Sequence, residues 1–141
     1  MTEQDRNKQA LRDLLTAVDA EDLERALEFY SPDYVDHDAS EARSGDTTVH
    51  TLRKAFAMFQ SAFRDTRHSL DDVIADGDRV AARISVEATH TGTILGIPAT
   101  GGIIRNDSIV IYRFEHGKIR ERWCRERHAT RTLLERAASG G

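Results

Sequence analysis

The chain has 141 residues, 39% apolar and 31% charged, with a net charge of −4. That length suits one domain, residues 1–141, which buries a core without disulfide or metal staples, and charges of both signs are too well mixed to imply a nucleic-acid face. Its one cysteine, Cys124, excludes an internal disulfide framework and a CxxC metal site, and no apolar run approaches membrane length.

Met1 to Lys8 is polar and lacks the apolar stretch of a secretory leader, so a cytoplasmic protein is expected. Leu11, Leu14, Leu15 and Val18 recur at helical spacing and predict an amphipathic helix over about Gln4–Val18. Leu23, Ala26, Leu27 and Tyr30 share one face of a second helix, Glu21–Tyr30, which Ser31-Pro32 should stop. Tyr34 to Asp38 reads as a short extended piece, and Ala39 to Asp46 as a polar loop. A third helix starts near Thr47 or Thr48, each a plausible N-cap. Val49, Leu52, Phe56, Phe59 and Phe63 give it the heaviest apolar stripe in the chain.

The period then changes from helical to alternating. Leu70–Ala75 reads as a short strand, Asp76-Gly77-Asp78 as a hairpin turn, and Arg79–Thr91 as a strand with Val80, Ala82, Ile84, Val86 and Ala88 on one face. Arg64, Arg67 and His68 fall in what reads as an exposed connection before the first strand. Gly92–Gly102 is a long glycine-rich connection. Ile103–Glu115 and Lys118 to about Arg127 are strands about a His116-Gly117 turn, and Thr130–Ala138 is a terminal helix. Three helices grouped before four meandering strands argue for an α+β fold: helices packed on a curved, mostly antiparallel sheet.

Five stretches in order carry a resemblance: Tyr34-Val35-Asp36-His37, Gly77-Asp78-Arg79-Val80, Thr89-His90-Thr91-Gly92, Gly96-Ile97-Pro98-Ala99-Thr100-Gly101, and Gly117-Lys118-Ile119 followed by Trp123. They resemble the SnoaL-like polyketide cyclases of the NTF2-like superfamily, over about Leu11 to Leu134. The resemblance implies a cone-shaped α+β barrel, usually a homodimer, with a deep pocket between sheet and helices. It also implies acid/base chemistry without cofactor or metal, on hydrophobic, polyketide-like substrates. Two positions depart from the family pattern. Cys124 stands where cyclases of this type carry a carboxylate in the last strand, and Val110 stands where they carry a histidine.

Strand parity sorts the candidate site residues. With Val110 and Cys124 facing the pocket, Ser108, Tyr112, Arg122 and Glu126 face it too, while Ile109 and Trp123 point outward, toward solvent or a second subunit. Asp36 and His37 pair a carboxylate with an imidazole at the expected pocket mouth, a combination suited to proton transfer near neutral pH. Adjacent strand residues face opposite ways, so only one easily enters; the alternative is a turn cap and a surface histidine. His90 either polarises a substrate carbonyl or fixes the following loop. Arg122 either binds a substrate oxyanion or pairs with Glu126 or Asp36. Tyr34, Phe56, Phe59, Ser108, Val110, Tyr112 and Cys124 are expected to shape the cavity. The expected activity is cyclisation, isomerisation or hydrolysis of a hydrophobic, oxygenated small molecule. A binding protein that has lost the chemistry is the alternative, and a dimeric module acting through the sheet face around Trp123 is a third reading.

Overall fold

A computed structural model describes residues 1–38 and 49–140. The expected loop 39–46 and the N-cap of the third helix lie outside these. Helix α1 (Glu3–Asp19) starts at Thr2, whose hydroxyl accepts from the Asp5 amide while the Asp5 carboxylate accepts from the Thr2 amide. It buries Leu11, Leu14 and Ala17. Helix α2 (Leu23–Leu27) is capped by Asp22 and stops three residues short of Tyr30. Tyr30 instead opens a strand, β1 (Tyr30–Asp36), which runs through Pro32 and pairs in parallel with β5 (Lys118–Glu126).

This corrects the expectation of four meandering strands. Tyr30, the last apolar residue of the supposed helical face, is recruited by the sheet, where it pairs with Ile119. Pro32 is tolerated because β1 is an edge strand, where a missing amide donor breaks no ladder.

Helix α3 (Val49–Ala62) runs directly into β2 (Phe63–Asp76). The strand is therefore much longer than Leu70–Ala75, and it takes in Arg64, Arg67 and His68. It hairpins through Gly77 into β3 (Arg79–His90), which pairs with β4 (Ile103–Glu115), which pairs with β5 through the His116-Gly117 turn. The five strands lie in the order β1-β5-β4-β3-β2, and α4 (Thr130–Ala138) closes the chain.

Two apolar clusters form on the inner face. The larger joins Leu11, Leu14, Tyr30, Tyr34, Val80, Ile84, Val110, Tyr112, Phe114 and Ile119. The smaller joins Ala62, Phe63, Ala88, Ile94 and Leu134 beneath α4.

Candidate functional site

A cavity of about 300 Å³ has walls drawn from both clusters, with Phe56 and Ala26 from one side and Phe63, Ala88 and Ile104 from the other. Most of its surface is apolar, but Thr66, His68, Asn106, Arg122 and Glu126 also reach it. Such a space suits a hydrophobic guest with a few oxygens to be recognised.

Two pairings set its electrostatics. Arg122 Nη1 donates to Asp36 Oδ2 at 2.9 Å, and the two side chains are 26% and 14% exposed. Burial opposes the Arg122 charge, but the Tyr112 and Asp36 oxygens beside it more than offset this and hold its pKa well above the ordinary value. Both oxygens of Asp19 engage His68 on β2. The His68 amide donates to Oδ2 at 2.7 Å, and Nδ1 lies 2.6 Å from Oδ1. Glu126 has no ion-pair partner among the described residues; burial pushes its carboxyl up, against the pull of Arg122. Among the described residues, no group of three or more His, Cys, Asp or Glu could hold a metal ion. Among the described residues, no helix is long and apolar enough to cross a membrane.

Residues 8–129 match the family described as SnoaL-like polyketide cyclase. The chain belongs to that family. AclR, a candidate hydroxylase from Streptomyces galilaeus, is 28% identical with a TM-score of 0.81, over 97% of this chain and 83% of its own. TsrD from Streptomyces laurentii is 23% identical with a TM-score of 0.82, and the alignment covers all of both chains. IdmH from Streptomyces antibioticus, a candidate polyketide cyclase, is 22% identical with a TM-score of 0.77, over 94% of this chain and 98% of its own. No match is found among curated proteins.

On this SnoaL-like scaffold the sequence candidates divide. Phe56, Phe59 and Arg122 line the cavity. Asp36 stands behind Arg122 as its carboxylate partner, which decides between the two pairings open from sequence. His37 points to the other face of the sheet. There its ring stacks on Trp123 at 4.8 Å and its Nε2 lies 3.0 Å from Glu121. The Arg79 guanidinium also lies over Trp123, 5.2 Å from the ring centroid, so the outward tryptophan is packed by its own chain.

His90 is fully buried and is absent from the cavity lining. Its Nδ1 accepts from the Thr100 amide at 3.2 Å and lies 3.1 Å from the Thr100 hydroxyl. The backbone on either side of the connection is also tied, from the His90 amide to Gly102 and from the Gly101 amide to His90. This geometry matches the loop-fixing alternative for His90.

Tyr34, Val110, Tyr112 and Cys124 belong to the larger cluster and, with Ser108, are not among the lining residues. The Tyr34 and Tyr112 rings are buried in the core instead of shaping the cavity. Burial pushes the Tyr34 and Tyr112 hydroxyls up, and it pushes the Cys124 thiol up as well, as suits a packed core residue and not a nucleophile.

The residues missed from sequence are Asp19 and His68, whereas Glu126 lines the cavity as strand parity placed it. No motif marks them. The one available signal was alternation: Thr66 and His68 extend the period of Leu70 backwards along β2. Because these inward positions are polar, the segment read as a connection. They are polar because they face a cavity and not a filled core.

Proposed function

We infer that this SnoaL-like chain is an enzyme. It uses acid/base chemistry without cofactor or metal to cyclise, isomerise or hydrolyse a hydrophobic, oxygenated small molecule. The observation that carries this reading is an apolar cavity whose polar groups are a half-buried guanidinium, a carboxylate with a raised pKa and a histidine held by an aspartate. Arg122, anchored by Asp36, supplies fixed positive charge for a substrate oxygen on which negative charge develops. Phe56, Phe59 and Phe63 grip the apolar body of the guest.

The reading extends to a homodimer formed through the outer sheet face. Ile74, Ala81, Ile111 and Trp123 pair in register across four strands, and Ile74 and Ile111 are 70% and 37% exposed. A non-catalytic binding protein is the second reading. It is favoured by Val110 and Cys124, which put apolar side chains where the family carries its acid/base pair.

A panel of hydroxylated naphthalene and anthraquinone ketones, incubated with wild type and with Arg122→Met and followed by mass spectrometry, separates the two. Conversion of one compound by wild type, reduced at least tenfold in Arg122→Met, supports the enzyme. Tight binding of a compound with no conversion in any sample supports the binder.

A further inference from the structure

Asp19 stands in an unfavourable place. It is the last residue of α1, whose final turn carries no basic residue, and a carboxylate there opposes the negative end of the helix dipole. What it gains is His68, on β2, which the chain brings to it across 49 positions. One carboxylate oxygen fixes the histidine backbone. The other accepts from Nδ1, which leaves Nε2 without a partner among the described residues, and His68 is one of the residues lining the cavity. A carboxylate on one imidazole nitrogen fixes ring orientation and tautomer, so the other nitrogen presents its lone pair. Arg122 and Glu126 line the same cavity from β5, three strands away in the sheet order.

We propose that His68, positioned by Asp19, is the base of this cavity that takes the C–H proton beside a substrate carbonyl. Nε2 takes the proton. The C–H electron pair becomes the enolate double bond, the carbonyl electron pair moves to oxygen, and Arg122 faces the resulting negative charge. The imidazolium then returns its proton to carbon or oxygen, which leaves the protein unchanged. The proposal rests on the enzyme reading of the cavity, and it assigns the base that reading leaves open.

The test uses 5-nitrobenzisoxazole, a compact apolar carbon acid. Loss of its C3 proton to a base forms the nitrile, breaks the N–O bond and releases a coloured phenolate. Binding of 1,8-dihydroxyanthraquinone, measured separately, reports the cavity itself. Wild type should open the probe saturably and faster than free imidazole at equal concentration. His68→Ala and His68→Gln should each lose at least tenfold in kcat/KM while still binding the anthraquinone saturably. Asp19→Asn should lower kcat several-fold with little change in KM, shift the His68 ring nitrogen resonances toward a mixed tautomer, and be partly rescued by Asp19→Glu. Equal probe opening by wild type and both His68 variants overturns the proposal, as does a wild-type rate no faster than imidazole. In those cases anthraquinone binding decides whether the cavity reading stands without the base or falls with it.

Discussion

Arg122 and Asp36 show how a single pair ties stability to the site. Two charges taken this far from water are tolerated only together, and removing one leaves the other uncompensated. Because both side chains keep some solvent contact, Asp36→Ala should cost about 3 kcal/mol, the low end for a broken buried pair. Urea unfolding would read this as a lower midpoint at unchanged slope, and Asp36→Ala/Arg122→Met should recover part of the loss. A single variant as stable as wild type would show that the pair carries no such strain. Glu126 gives a pH signature. Its folded pKa is raised by burial above the ordinary 4.5, so the native state favours the protonated carboxyl. The stability this supplies is full below the unfolded value and is lost as pH rises through the folded one. Glu126→Gln, which cannot ionise, should match wild type near the acid end of this window and show the higher Tm above it. Parallel Tm curves for the two proteins across the window would contradict the placement.

At the scale of elements, β4 and α4 were legible and the first half of β2 was not. Ile103–Glu115 and Thr130–Ala138 agree with their sequence reading end to end, because alternation or helical spacing there reports a packed face. The first half of β2 fails that reading at Thr66 and His68, where polar side chains line the cavity. Tyr30 fails for another reason. Its apolar ring suits a helix face and a strand face equally, and only the parallel partner β5 decides. Phe56, Phe59 and Arg122 could be placed from sequence, whereas the partner of Arg122 and the meeting of Asp19 with His68 depend on tertiary pairing. Gly92 is another position whose reason is tertiary. A Cβ there would lie 2.4 Å from the Ser61 carbonyl oxygen, where the Gly92 and Thr91 amides both donate to Ala62. Backbone on both sides leaves little room to yield, so Gly92→Ala should destabilise by about 2–3 kcal/mol. A thermal or urea midpoint unchanged in that variant would show that the junction of α3 and the connection is loose.

For the whole molecule, the sheet has two unlike faces. The inner face packs against the helices and closes the cavity, while the outer face leaves Ile74, Ile109 and Ile111 at the surface among arginines and glutamates. Exposed apolar rows of this kind mark association surfaces. Ile111→Asp should therefore convert a dimer to a monomer in sedimentation analysis without changing the fold. A wild type that sediments as a monomer at micromolar concentration would remove that reading and leave the cavity intact. The cavity is the central claim, and it is tested most directly by calorimetric titration with 1,8-dihydroxyanthraquinone of wild type, Ala88→Phe and Gln60→Trp, the two variants placing a ring in the proposed space. The account predicts saturable one-to-one binding by wild type and at least tenfold weaker binding by both folded variants. Equal affinity in all three, or no saturable binding by wild type, would contradict it.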